Sequence, residues 1–465
     1  MPWKDIDISE KLFQNVTEAA TVSGAAALEN AFMNEQKGIS RFPGLANVVT
    51  LTGGLPTYLH EWDKDLIAVT NSRVYRVNQA GTATDVTGAP VSGDGRVVFD
   101  RSPNELLMAA GGPIVRLGAA TTEILSDDAP LSTHVGYSEG RVLASERGTG
   151  NFLHSAANSF RDWDQIDIFS ADVKPDPINA LFVTPYREVM VLGIDSMEQF
   201  DPIASADTPY VRRWGVAEGL SEPYASAFVD NATWMLNRNR EIVRASGQVS
   251  QSFGDDIGMT LEGLDDWSMT WMTGMSVKGQ KFLLLQAPNA TNVYDTKGVT
   301  VVFDYRQKKW LNLYGWDADL GLPSRWPGWS YYRLWDRHFV GGNGRVYELD
   351  SDTYANTGVT QRVLWRSAHI DIGEIRVDDV QLRLKRGSSG SNATEPVISL
   401  RSIKDNKVKT RWNRKGLGLA GDRYMHVNFG PMGCADSWQF EIDMTDAADC
   451  ELTRLQILPT PIGQR

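Results

Sequence analysis

Residues 65–78 read DLIAVTNSRVYRVN, and how this stretch folds decides the architecture of the chain. Leu66, Ala68 and Thr70 alternate with their neighbours on one side of a break, and Val74 and Arg76 on the other. A period of two is the mark of a strand with one face buried, and Asn71-Ser72 between the runs has turn chemistry. The stretch predicts a tight β-hairpin.

Comparable hairpins begin at Asn104, Gly140, Arg187, Ser226, Lys281 and Arg337. Units recurring at roughly 40 to 60 residues have the spacing of propeller blades with four strands each. The expected fold is all-β, a β-propeller of six or seven blades over residues 41–356. Helical periodicity is nearly absent, and only two short helices are expected, within Glu18 to Gln36 and Asp255 to Met272. Beyond Asn356 the alternating runs lengthen, which predicts an antiparallel β-sandwich over 357–465, with residues 1–40 an N-terminal arm. A boundary there predicts a propeller that folds without the sandwich.

A chain of 465 residues exceeds what one core usually organises. Cys434 and Cys450 are too few for a disulfide framework and read as buried free thiols. The opening MPWKDIDISEKLF has no basic segment followed by an apolar one, and no window is apolar enough to span a membrane. The chain is therefore expected to be made and used without secretion or membrane insertion. Net charge is −12, yet residues 357–465 hold 16 Lys and Arg against 13 Asp and Glu, so the acidic excess lies in the first 356 residues. That balance argues against nucleic-acid binding by the whole surface.

The six histidines form no metal-ligand spacing, and no nucleophile elbow, Walker loop or strand-linked dinucleotide fingerprint occurs. No catalytic residue, metal or cofactor is expected, and the chain reads as a non-enzyme. Asp255 with Asp256, Asp265 with Asp266, and Asp317 with Asp319 read as turn acids, although some propeller glycosidases set paired carboxylates in a funnel. Two stretches stand out. Residues 310–335 carry eight aromatics, of which Trp310, Trp316, Trp326, Trp329, Tyr331, Tyr332 and Trp335 are candidates for a subunit interface or a sugar-stacking platform. Residues 401–416 carry Lys407, Lys409, Arg411 and Arg414, a basic patch for phosphates or an acidic neighbour, or a sheet edge protected by charge.

The turn Arg41-Phe42-Pro43-Gly44 is a candidate anchor for the arm. Pro43 fixes φ, Gly44 permits φ > 0, and Phe42 can be buried. With this SRFPGL turn at their head, DLIAVTNSRVYRV, SGDGRVVFDRSPNELLMAAGGPIVRL, SADVKPDPINALFVTPYREVMVLGIDSMEQFDPI, HFVGGNGRVYELD and CELTRLQIL follow in an order that resembles the tail hub, or packaged-DNA stabilisation, proteins of short-tailed bacteriophages. The resemblance implies that the turn leads into the first blade. It implies a homo-hexameric ring below the portal and adaptor rings, continuing the DNA channel. Implied partners are the adaptor, the tail needle or tip, tailspike or fibre proteins, and double-stranded DNA passing without sequence-specific contact. The implied location is the virion tail, assembled in the host bacterial cytoplasm. The alternative is a carbohydrate-binding or glycoside-cleaving propeller protein.

Overall fold

The computed structural model describes residues 3–6, 27–203, 205, 208–385, 395–405, 408–418 and 424–462. Among them, four-stranded antiparallel units succeed one another along the chain. The first runs from Tyr58–Trp62 to Ala83–Asp85, the second from Val98–Arg101 to Thr122–Ile124, and the third from Val135–Ser138 to Ser159–Ser170. The fourth runs from Ile178–Val183 to Tyr210–Val216 and the fifth from Ser226–Val229 to Val249–Ser252. Trp271–Val277, Gln280–Thr291, Lys297–Asp304 and Lys309–Asn312 form the sixth, which is hydrogen-bonded onward into the C-terminal sheet. Ser330–Leu334, Arg337–Gly341 and Arg345–Asp350 begin the seventh. Apart from the sixth, every unit belongs to a sheet of its own, and together they are the blades of a propeller.

The hairpins read from the sequence contain the second and third strands of their units, and the one beginning at Ser226 starts with the first strand of the fifth. Those two strands have neighbours on both sides and a blade against each face, so they become nearly continuous apolar runs. Leu106–Ala109, Arg141–Ser145, Val189–Gly193 and Ala232–Leu236 are buried along their whole length.

The seventh unit lacks an outer strand until Gly44–Thr50 supplies one, pairing antiparallel with Arg345–Asp350 so that Val49 faces Val346 and Gly44 faces Asp350. The turn therefore leads into the last blade rather than the first, and joins the two ends of the ring. Gly44 also acts differently from the expectation. Its φ is not positive; the constraint is close approach, because a Cβ there would lie 2.4 Å from the Ala355 carbonyl oxygen and 2.6 Å from that of Thr353. The Gly44 amide donates to the Thr353 carbonyl at 2.7 Å.

The described part of the arm is sheet. Ala27–Glu29 pairs with Val363–Arg366 and, in parallel, with the outer strand of the sixth blade; Ile39–Arg41 pairs with Glu451–Pro461. Residues 18–26 of the first expected helix lie outside the described residues, and Ala27–Glu29 and Ala31–Met33 are strands because each finds a partner before a helix could bury a face. In the second expected helix only Asp255–Ile257 and Gly258–Glu262 are helical, and Trp271 already begins a strand. The C-terminal strands pair antiparallel within one large sheet. Val380, Leu382 and Leu384 of its longest strand pack in one core with Leu400, Phe440 and Leu455. That core continues without a break through Phe32 and Phe42 to Trp271, Phe282 and Val340 of the last two blades. Cys434 is exposed and Cys450 half-buried, so the thiols are not both interior; Cys434 sits on an outward position of its strand.

Phe42 is the hinge pin of this arrangement. It is fully buried, with ring centroids 5.8 Å from Phe32 and 5.7 Å from Phe282, both edge-on. Phe42→Ala is expected to lower unfolding free energy by about 3–5 kcal/mol, the usual range for a buried phenylalanine, measured by chemical denaturation of the full chain. The continuous core also predicts that a fragment ending at Asn356 aggregates, because Leu28, Phe32 and Phe282 lose their cover; a soluble monomer in size-exclusion chromatography would refute this.

Candidate functional site

At the hub of the propeller the innermost strands converge, and the residues at their starting ends close the axis. Tyr58, Arg96, His134, Ala180, Tyr224, Trp271 and Ser330 come from successive units and line a cavity of about 440 Å³. Arg96 is buried, its guanidinium 4.6 Å from the Trp271 ring centroid and 4.9 Å from that of Tyr58. Nη2 donates to the Trp329 carbonyl, which ties the second blade to the seventh. Burial lowers the pKa of Arg96 to about 10, so the group stays cationic at neutral pH. His134 stacks on Tyr224 at 5.5 Å, and burial depresses its pKa to about 4. His60, 4.9 Å from the Tyr332 ring and 5.2 Å from Phe99, is likewise lowered to about 4 by burial. The axis is thus plugged by stacked rings around one cation.

The aromatic run is divided by the fold. Trp310 and Trp326 are core residues, respectively 4% and 1% exposed, and cannot present a surface to a subunit or a sugar. Trp310 donates from Nε1 to the Phe253 carbonyl at 2.9 Å. Trp316 lines an open cleft with Asp317, Arg325 and Asn356. Trp329 donates to Asn343 Oδ1 at 2.7 Å under the Arg325 guanidinium, and Trp335 donates to the Lys64 carbonyl at 3.0 Å. The Tyr331 hydroxyl meets His338 Nδ1 at 2.7 Å, and Tyr332 covers His60. The run mainly staples the seventh blade to its surroundings.

The basic hairpin is also divided. Lys407 lies outside the described residues, whereas Lys409, Arg411, Arg414 and Lys415 are exposed. Arg401 turns inward over the Trp412 ring and binds Glu441, which also takes Arg366 Nε at 2.5 Å. Burial would raise the Glu441 pKa, but Arg366 and Arg401 together outweigh it and hold the group below its usual value. Arg41, proposed as an arm anchor, is buried as well. It donates to the Asp446 carbonyl at 2.6 Å and to Gln361 Oε1 at 3.3 Å, while Gln361 Nε2 donates to the Pro43 carbonyl at 3.3 Å. Burial lowers its pKa to about 10.

The acidic pairs divide: Asp317 caps its own turn, whereas Asp265 binds Thr291, 26 residues further along the chain. Asp265 accepts from the Thr291 amide and hydroxyl, each at 2.7 Å, which hold its pKa down to about 2, and Asp317 accepts the Asp319 and Leu320 amides at 2.9 Å. Among the described residues no three His, Cys, Asp or Glu side chains are placed to hold a metal ion, and no helix is long and apolar enough to cross a membrane. Sequence reasoning missed Arg96. An arginine after Asp-Gly at the start of a strand looks solvated, and only closure of the ring brings Trp271 and Trp329 to it.

These features define a class: a propeller sealed by an N-terminal strand, with aromatic rings and a buried arginine packed at its axis. The family model described as bacteriophage P22 Gp10, β-propeller, a phage-stabilisation family, matches residues 22–354, and the chain belongs to that family. It is accordingly a structural tail protein of a bacteriophage virion. No curated protein matches the chain. Among solved structures it is similar to the extracellular domain of the putative one component system BT4673 from B. thetaiotaomicron, at 11% identity and TM-score 0.43, covering 86% of this chain and 61% of that one. It is also similar to the computationally designed Ika8 protein, at 14% identity and TM-score 0.37 over 70% of this chain and 98% of that one. A third is BamB from Moraxella catarrhalis, at 11% identity and TM-score 0.36 over 64% and 99% respectively. The chain spans about three fifths of the length of the first of these.

Two outcomes follow from this geometry. Trp326→Ala is expected to cost about 3–5 kcal/mol as a core truncation, and Trp329→Ala about 1–2 kcal/mol for its hydrogen bond and cation–π contact, both read from urea midpoints. His134 is neutral in the folded chain down to about pH 4 but titrates near 6.5 when unfolded, so its contribution is present above pH 6.5 and is lost as pH falls towards 4. The fall in stability across that window is expected to be smaller in His134→Phe by roughly 3 kcal/mol at most; an unchanged slope would refute the assignment.

Proposed function

We propose that the chain is a tail hub or nozzle subunit. Six copies form a ring beneath the portal and adaptor rings, continue the DNA channel, help retain packaged DNA and carry the needle or tip. Membership of the phage-stabilisation family across the propeller is the observation that supports this most. The geometry adds a constraint. With Arg96, Trp271 and Tyr58 across the axis, the propeller has no bore of its own for a duplex. The DNA path of such a ring runs between subunits, along outer surfaces of the acidic propeller part.

A closed ring needs two different patches on every subunit. The exposed Lys409, Arg411, Arg414 and Lys415 suit one of them, because an acidic propeller in the next subunit is complementary to that edge. In this reading the virion tail is the working location, assembly takes place in the host bacterial cytoplasm, and the chain is not an enzyme.

Native mass spectrometry and negative-stain imaging of the full chain, alone and with the adaptor ring, test the proposal. Sixfold rings are expected. Changing Lys409, Arg411, Arg414 and Lys415 to Gln should slow assembly about tenfold at low salt, the kind of change steering charges produce. The difference should shrink at physiological ionic strength, where exposed charges are screened within about 8 Å. A chain that stays monomeric with the adaptor present would overturn the reading.

A further inference from the structure

The outer strand of the third unit, Ser159–Ser170, has 12 residues against 6 in its neighbour Asn151–Ala156. Leu153 faces Ile168 and Ser155 faces Trp163, so residues 164–167 bulge opposite His154. Ile166 on the bulge is 83% exposed, the most exposed large hydrophobic among the described residues. Phe160 and Trp163 of this strand pack with Leu125 and Ala129, which follow the outer strand of the second unit, and Ser126 Oγ donates to the Arg161 carbonyl at 2.8 Å. Strand and loop therefore make one surface, on which Asp127, Asp128, Asp162 and Asp164 are exposed. Among the described residues none of these four meets a lysine or arginine, and Arg161 goes instead to Glu123 at 3.8 Å. Other acidic pairs differ: Asp256 has Lys309 at 3.4 Å and Asp265 has Lys297 at 3.6 Å.

The complementary surface is the basic edge. Among the described strands Asn413–Gly416 pairs only with Val397–Lys404, so its other side is open. Lys409, Arg411, Arg414 and Lys415 are exposed and meet no carboxylate among the described residues, whereas Arg401 is taken by Glu441. The two patches lie on opposite sides of the chain. The inner strand of the seventh unit touches that of the first, so the third unit stands across the ring from the sixth and seventh. The C-terminal sheet, which carries the basic edge, is hydrogen-bonded to the sixth unit and shares a core with the last two. Opposite charges so placed cannot meet within one chain, but they meet head to tail between copies, the heterologous contact that closes a ring. We propose that the outer face of the third unit, around Asp127, Asp128, Asp162 and Asp164, is the docking surface for the basic edge of a second copy of this chain. Ile166 is covered there by the aliphatic stems of the basic side chains. This contact rests on the ring proposed above and supplies the second patch of each subunit.

Charge reversal in the full chain, followed by native mass spectrometry alone and with the adaptor ring, tests the contact. One variant combines Asp127→Lys, Asp128→Lys and Asp162→Lys; Asp164 stays because its Oδ1 accepts the Ile166 amide at 3.1 Å. The other combines Lys409→Glu, Arg411→Glu, Arg414→Glu and Lys415→Glu. Each is expected to raise the concentration at half-assembly at least about tenfold, and the two sets in one chain to return it to within about threefold of the wild type, as charges facing across one contact require. Restoration also shows that the fold survives both sets. If either set prevents folding, Ile166→Ser carries the test and should weaken assembly about tenfold, as loss of one covered apolar side chain does. Normal assembly of either reversal variant, a combined chain no better than the weaker of them, or normal rings that fail only to dock on the adaptor would each overturn this contact and leave the ring standing. A wild type that stays monomeric with the adaptor present would remove the ring as well.

Discussion

A propeller is a ring made from a linear chain, and its weakest point is where the two ends meet. Here one strand, Gly44–Thr50, carries that junction by completing the blade that Ser330–Leu334 begins. The two strands are some three hundred residues apart, but the entropic cost of a long closure grows by only about 0.6 kcal/mol per doubling of its length. What must be secured is the position of the strand. Arg41, Phe42 and Gly44 do this from three directions: a guanidinium held by carbonyls from the C-terminal segment, a ring clamped between Phe32 and Phe282, and a backbone pressed against Thr353 and Ala355.

From that junction the C-terminal sheet follows. The strands before the turn need partners for their backbone groups, and Val363–Arg366 and Glu451–Pro461 provide them. Charges brought inside by this docking are matched in pairs. Glu29 accepts the Tyr294 hydroxyl at 2.6 Å, and burial still raises its pKa despite the pull of Arg362. Glu441 sits between Arg366 and Arg401. Such networks fix the register of the elements that carry them more than they add net stability, and register is what a strand-built junction needs. The result is a propeller and a sheet sharing one core, a rigid block of the kind a structural tail protein of a virion requires.

The sequence by itself determined the fold class. Alternation with period two is imposed by strand geometry, so DLIAVTNSRVYRVN and its six counterparts announce their hairpins locally, and their spacing announces the blades. Turn chemistry at Asp317 was legible for the same reason: an acid beside a tight turn binds nearby amides whatever surrounds it. The family order of motifs was legible too, because it is a property of the chain read in one direction.

The tertiary structure alone decided which residues face what. Trp326 and Trp329 lie three apart in one run, yet one is core and the other half-buried, since the fate of an aromatic depends on what packs over it. Gly44 looked like a left-handed turn residue and is instead a point of close backbone approach, set by Thr353 and Ala355. The strands at Ala27–Glu29 and Ala31–Met33 replaced an expected helix because their partners come from the far end of the chain. Arg96 looked like a solvated charge and became the axial plug only when the ring closed around it. Short-range periodicity is written in neighbouring residues, whereas burial and pairing are set by contacts across hundreds of residues, which no local pattern contains.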